Sequence, residues 1–144
     1  MNITRILVIE DEALLAFPLA EMLRRAGFQV VGPAPTLERA LKLARDEVVD
    51  LALVDINLRD GSKAGIEAAH ALLENWGIPS LFLSESSTEA HNNQDAALGF
   101  LDKTYSPRSV LESIAVAQAL INGDLLPALP LGLELFKNSG AADA

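Results

Sequence analysis

The feature that most constrains the fold is a regular alternation of short apolar runs with longer segments of helical periodicity. The run from Ile3 to Ile9 is β-branched and too short for a helix, so it predicts a buried strand; the segment after it carries apolar residues at helical spacing and stops at Gly27. The same alternation continues along the chain. Strands are predicted at residues 3–9, 28–32, 51–54, 79–83 and 99–101, and helices at 12–26, 36–46, 64–75, 87–97 and 108–122. Because such crossovers are right-handed and connect parallel strands, we predict an α/β domain with a five-stranded doubly wound parallel sheet flanked by five helices.

The length of the chain allows one such domain, predicted at residues 1–122 of the 144. Residues 123–144 are too few for a second domain, yet they carry more apolar side chains than a solvated extension should. These side chains are Leu125, Leu126, Leu129, Leu131, Leu133, Leu135 and Phe136. We therefore interpret residues 123–144 as a C-terminal extension that docks on the domain or on a second subunit in a homodimer.

Charge and composition restrict the partners and the location. The net charge is −9, and the basic residues are scattered rather than clustered, so direct binding to nucleic acid is not expected. The apolar stretches are too short to span a bilayer, and the N-terminal run does not resemble a signal peptide. A chain without cysteine also suits a reducing compartment. We predict a cytoplasmic protein with no membrane insertion.

Polar residues follow the predicted strands at their carboxyl ends, where ligands bind in doubly wound sheets. Glu10 and Asp11 follow the first strand, Asp55 the third, Ser84 the fourth and Lys103 the fifth. Carboxylates brought so close together repel one another unless a cation lies among them. Oxygen ligands without histidine or cysteine favour Mg²⁺.

These motifs together resemble the receiver domain of two-component response regulators, a family with the flavodoxin-like (CheY-like) topology. The resemblance covers roughly residues 3–122. It rests on four motifs in the family's order: Glu10-Asp11, Val54-Asp55-Ile56-Asn57, Ser84, and Gly99-Phe100-Leu101-Asp102-Lys103.

The resemblance implies a role for each matched position. Asp55 would be the phosphoacceptor and nucleophile, with Lys103 and Ser84 completing the catalytic set. Ser84 and Phe100 would form the switch that responds to phosphorylation. The ligands of Mg²⁺ would be Glu10 (through water), Asp11, Asp55 and the backbone carbonyl of Asn57.

Three positions depart from the family pattern, of which Glu10, where aspartate is commoner, is a mild change. The family usually has proline after its lysine, with a cis bond that aims the lysine, whereas Thr104 follows Lys103 here; a cis bond before a residue other than proline costs about 3 kcal/mol. The residue after the switch hydroxyl is usually small, but here it is Glu85. A bulky anion at that position should hinder the entry of the phosphodonor and the attack of the water that hydrolyses the aspartyl phosphate.

The leading functional interpretation is a single-domain response regulator. It would receive a phosphoryl group from a histidine kinase or a histidine phosphotransfer protein and signal through a downstream protein target. Its only chemistry would be Mg²⁺-dependent self-phosphorylation and slow self-dephosphorylation, so we do not expect an enzyme in the ordinary sense. The alternative is a pseudo-receiver that acts as a phosphorylation-independent interaction module. A phosphatase of the haloacid-dehalogenase type or a flavodoxin fits the motifs less well.

Overall fold

The computed structural model describes residues 2–58, 61 and 63–136, and within them the chain forms an α/β domain around one sheet. The strands are β1 (Arg5–Ile9), β2 (Gln29–Ala34), β3 (Leu51–Asp55), β4 (Ser80–Ser84), β5 (Gly99–Asp102) and β6 (Leu133–Leu135). The helices are α1 (Ala13–Arg25), α2 (Leu37–Asp46), α3 (Ala64–Trp76), α4 (Ser87–His91) and α5 (Pro107–Asn122). The predicted elements are therefore present in the predicted order.

The strand order in the sheet is β2-β1-β3-β4-β5-β6, and β1 to β5 are mutually parallel. Consecutive residues of the buried strands point to opposite faces, which creates two apolar cores. Leu7, Val54 and Phe82 pack on the side of α2 and α3. Ile6 and Leu53 pack on the side of α1 and α5. The parallel sheet covered on both faces confirms the predicted fold class.

Local sequence explains where the best-defined helices begin. Thr36 caps α2 by accepting a hydrogen bond from the backbone N–H of Arg39 through its side chain. At the start of α5, Ser106 and Ser109 satisfy each other's backbone N–H groups, and Pro107 occupies the first turn, where its missing N–H costs nothing.

The prediction for the fourth helix was too long. The sequence suggested residues 87–97, but α4 ends at His91 and a short 3-10 turn, Gln94–Ala96, follows it. Asn92 and Asn93 lie at this break. Asparagine competes with helical hydrogen bonds through its own side chain, and the side-chain amide of Asn93 donates to the carbonyl of Glu89.

The sheet also has one strand more than the predicted five. β6 comes from the C-terminal extension and pairs antiparallel with β5, with Phe100 opposite Glu134. Leu133 and Phe136 are buried, whereas Leu125 and Leu131 are almost fully exposed. Gly99 makes the pairing possible, because a Cβ atom at that position would lie 2.2 Å from the carbonyl oxygen of Glu134. Residues 137–144 of the predicted extension lie outside the described residues.

Within the described ranges, no helix is both long enough and apolar enough to cross a membrane.

Candidate functional site

The carboxyl ends of β1 and β3 bring three carboxylates together. Glu10 and Asp11 follow the last residue of β1, and Asp55 is the last residue of β3, the strand beside it. One carboxylate oxygen from each of the three lies within 4.8 Å of the others. The convergence that the sequence predicted at this edge of the sheet is therefore present.

Asp55 is held firmly in this cluster. Its carboxylate accepts a hydrogen bond from the backbone N–H of Asn57 at 3.0 Å, and the residue is only 2% exposed. The first turn of α3 passes directly over its backbone, since a Cβ atom on Gly65 would lie 2.0 Å from the carbonyl oxygen of Asp55. Only glycine permits this approach, and sequence reasoning did not identify that role for Gly65.

Lys103 reaches the same cluster from the end of β5. Its Nζ atom lies 3.0 Å from Oε1 of Glu10 and 3.3 Å from Oδ2 of Asp55, and the side chain is only 10% exposed. The peptide bond that joins Lys103 to Thr104 is trans. The missing proline therefore does not prevent Lys103 from pointing at Asp55.

Burial and charge shift the pKa values of these groups. Burial raises the pKa of Glu10 to about 7, and hydrogen bonding and repulsion from Asp55 add to the effect, while Lys103 opposes it. Burial alone would lower the pKa of Lys103, but the contacts with Glu10 and Asp55 raise it above its ordinary value. The ammonium group is therefore charged at neutral pH and offsets part of the negative charge around it.

The donor set suits a hard divalent cation. Every candidate ligand is an oxygen, and the buried Oε1 atom of Glu10 has the Lys103 ammonium group as its neighbour at 3.0 Å. Asp11 is half-buried and Asn57 is exposed, so the cluster is open on the side of these two residues. Such a set, in which waters complete the shell, is what Mg²⁺ prefers.

Ser84 lies at the end of β4, beside β3, and is 2% exposed. Its hydroxyl donates to the carbonyl oxygen of Ser86 at 2.8 Å and accepts from the N–H of Ser86 at 2.9 Å. The sequence placed Ser84 at this edge but gave no sign of this local partner. Glu85, the next residue, is exposed.

Phe100, the predicted second half of the switch, is buried in β5 among aromatic side chains. The ring of His91 contacts it edge-on at 5.5 Å between centroids, and Phe136 packs against it at 6.0 Å. His91 also contacts the carboxylate of Glu134. No residue near His91 in the sequence offers it an obvious partner, so its contact with the C-terminal segment was not predicted.

The fold and this cluster define the class of the protein. The chain belongs to the response regulator receiver domain family, whose family profile matches residues 6–115. This confirms the resemblance drawn from the four motifs.

Individual relatives agree with that assignment. The phyllosphere-induced regulator PhyR of Methylorubrum extorquens is 34% identical over 119 residues, which are 81% of this chain and 43% of PhyR. The receiver domain of Erythrobacter litoralis PhyR, solved by NMR, has a TM-score of 0.69 at 29% identity, over 90% of this chain and 98% of that domain. A Burkholderia pseudomallei response regulator was crystallised with a phosphorylated aspartic acid, a calcium ion and citrate. Its TM-score is 0.71 at 26% identity, over 83% of this chain and 71% of that one. The chain spans about half the length of the curated relatives that it matches.

Proposed function

We propose that this receiver domain accepts a phosphoryl group on Asp55 from a histidine kinase or a histidine phosphotransfer protein in the cytoplasm. The observation that carries the proposal is the position of the Asp55 carboxylate at the end of β3. One of its oxygens faces the ammonium group of Lys103 at 3.3 Å, and two further carboxylates lie beside it. A nucleophile, a fixed cation and a set of oxygen ligands are the parts that phosphoryl transfer requires.

The chemistry follows from these positions. A carboxylate oxygen of Asp55 attacks phosphorus, the bond from phosphorus to the donor breaks, and its electron pair leaves with the donor group. Glu10, Asp11, Asp55 and the carbonyl of Asn57 would hold Mg²⁺, which when bound neutralises charge on the phosphoryl oxygens. Lys103 stabilises the same charge from the side of β5.

The response to phosphorylation starts at Ser84. A phosphoryl group on Asp55 offers three strong acceptor oxygens, which compete with the carbonyl of Ser86 for the hydroxyl of Ser84. If the hydroxyl turns toward the phosphoryl group, the loop between β4 and α4 loses two hydrogen bonds. Phe100 packs between that region and the C-terminal segment, so its surroundings change as well.

The proposed partners are proteins. A kinase or phosphotransfer protein supplies the phosphoryl group, and a downstream protein target reads the altered surface, with a second copy of the chain as one candidate. The net charge of −9 argues against direct contact with nucleic acid. Self-phosphorylation and slow self-dephosphorylation are the only reactions proposed for the chain.

The pseudo-receiver is a second candidate, and one observation favours it. Lys103 already contacts two carboxylates, and the hydroxyl of Ser84 is already satisfied by Ser86. Lys103 and Ser84 therefore have partners within the protein when no phosphoryl group is bound.

Mass spectrometry separates the two candidates. Protein treated with acetyl phosphate and Mg²⁺ should gain one phosphoryl group on Asp55, and Asp55→Asn should abolish the gain. Asp46→Asn is the matched control, since Asp46 is an exposed aspartate on α2, and it should leave the gain unchanged. Phosphate on another residue of the wild-type protein, or no phosphate from either this donor or a kinase, would contradict the proposal.

A further inference from the structure

Lys103 points into the site although its neighbours give it no proline to fix the backbone. A lysine side chain has four rotatable carbon–carbon bonds, so holding it in one orientation opposes considerable entropy. Its ammonium nevertheless lies within 3.3 Å of both Glu10 and Asp55. The backbone on either side of Lys103 must therefore be fixed by other contacts.

The first of these contacts is a turn that closes around Lys103. Oδ1 of Asp102 accepts a hydrogen bond from the backbone N–H of Thr104 at 2.9 Å and a second from the hydroxyl of Thr104 at 3.0 Å. The carbonyl of Asp102 accepts a third from the N–H of Tyr105 at 3.1 Å. Lys103 thus lies at the corner of a turn whose two flanking residues are joined to each other.

Two further hydrogen bonds attach this turn to the sheet. The N–H of Lys103 itself donates to the carbonyl of Ser84 on β4 at 3.1 Å. The N–H of Asp102 donates to the carbonyl of Gly132 at 3.0 Å, just before β6 begins. The turn is therefore held from β4 on one side and from the C-terminal segment on the other.

We propose that Asp102 and Thr104 are positioning residues that aim Lys103 at Asp55. Threonine offers both an N–H and a hydroxyl to the same carboxylate oxygen, two contacts that proline could not make. Neither residue touches the reacting atoms, and both act through Lys103. The proposal rests on the function proposed above only where it concerns the rate of phosphoryl transfer.

The aim of Lys103 can be measured without any phosphorylation. In a short pulse of an acetylating reagent such as the N-hydroxysuccinimide ester of acetic acid, the nearly buried ammonium of Lys103 should react slowly. Lys42, whose side chain is 53% exposed on α2, serves as the reference in the same sample. Mass spectrometry then gives the ratio of acetylation at the two lysines.

Asp102→Ala and Thr104→Val should raise the acetylation of Lys103 relative to Lys42 by about two- to tenfold, the range set by the net stabilisation from one hydrogen bond. Thr104→Ser keeps the hydroxyl and should restore the wild-type ratio. Denaturant unfolding of each variant shows whether the substitution lowers the free energy of unfolding of the whole protein. An unchanged ratio in both Asp102→Ala and Thr104→Val would overturn the proposal.

A double-mutant cycle tests the consequence for the reaction. Thr104→Val should slow phosphoryl transfer from acetyl phosphate by about tenfold or more, because displacements on the order of 1 Å are costly in such steps. The same substitution should have no effect in a Lys103→Ala background. Equal slowing in both backgrounds would assign Thr104 a merely structural role and overturn the proposal. If the wild-type protein takes up no phosphate, the proposed function fails, while the acetylation ratio still decides whether the turn aims Lys103.

Discussion

Glu10 is the residue whose protonation the fold alters most clearly. Its pKa is raised from 4.5 to about 7, so between these values the folded protein binds a proton that the unfolded chain has released. Stability from this group is therefore complete below about pH 4.5 and is lost as pH rises through about 7. We expect the free energy of unfolding of the metal-free protein to fall across that window because of Glu10.

Glu10→Gln should remove that part of the pH dependence, since glutamine has the same shape and no titrating proton. Chemical denaturation at a series of pH values between 4.5 and 8 measures how the free energy of unfolding changes with pH. Glu38→Gln, at an exposed position in the first turn of α2, is the control and should keep the wild-type slope. An identical slope in Glu10→Gln and wild type would show that Glu10 titrates normally in the folded protein.

Glu85 follows Ser84, the predicted switch residue, and is exposed, so its charge is well placed to meet an incoming anion. Hydrolysis of an aspartyl phosphate needs a water in line with phosphorus, and a bulky side chain beside that path should narrow it. We expect Glu85→Ala to accelerate both phosphorylation by acetyl phosphate and loss of the phosphoryl group. The expected change is a few-fold, equivalent to an energy on the order of 1 kcal/mol because solvent screens an exposed charge.

The measurement is the formation and decay of phosphoaspartate at fixed Mg²⁺ in wild type and Glu85→Ala. Glu74→Ala is a suitable control, because Glu74 is also exposed but lies near the distant end of α3. Rates that stay equal or fall in Glu85→Ala would mean that Glu85 points away from the site.

For single residues, the sequence predicts which side chains lie close together but not which hydrogen bonds they form. Asp55 and Lys103 could be placed together because parallel strands end at the same edge of a sheet. The hydroxyl of Ser84 could not be oriented, since its partner Ser86 is a backbone contact within a loop. The close approach of Gly65 depends on where α3 crosses the sheet, which no local pattern encodes.

Among the helices and strands, too, some could be predicted from the sequence and others could not. Long segments with regular periodicity, such as α5, were predicted to within about a residue because many positions agree. β6 has three residues and was missed as a strand, since its pairing depends on β5 more than thirty positions earlier in the chain. The apolar composition of the C-terminal extension indicated that it docks somewhere; it could not indicate an antiparallel strand.

β6 should contribute measurably to stability. Truncation after Asn122 removes Phe136, which is 2% exposed and contacts the rings of Phe82 and Phe100. We expect the free energy of unfolding to fall by about 3 kcal/mol or more, the usual cost of losing a buried aromatic side chain. Truncation also uncovers the edge of β5, and an uncovered edge strand favours pairing with another molecule.

Urea denaturation measures the change in stability, and light scattering measures the change in mass. The control is the full-length variant with Leu125→Ser and Leu131→Ser, because both leucines are at least 97% exposed. The free energy of unfolding of that variant should stay within about 0.5 kcal/mol of the wild-type value, as is usual for substitutions at exposed positions. If truncation changes neither stability nor oligomeric state, the pairing of β6 with β5 is not a stable part of the protein in solution.

For the whole molecule, the acidic cluster and the net charge of −9 act together. Any cation stabilises such a protein to some extent by screening its self-repulsion. A cation that binds among Glu10, Asp11 and Asp55 should do more, because binding to the folded state alone adds RT ln(1 + [L]/Kd) to its stability. Mg²⁺ should therefore raise the unfolding temperature more than NaCl at the same ionic strength.

At a Mg²⁺ concentration one hundred times its Kd, the added stability should be about 2.7 kcal/mol. For a chain of this size, each kcal/mol of added stability raises the unfolding temperature by roughly 3 °C. Asp55→Asn removes one ligand and should lose most of this gain. Asp46→Asn removes one negative charge as well, but it lies outside the cluster and should keep the gain. Thermal unfolding of the three proteins in Mg²⁺ and in matched NaCl makes the comparison. If both variants lose the same share of the gain, Mg²⁺ acts through general screening; a loss confined to Asp55→Asn places the ion in the cluster beside the proposed phosphoacceptor.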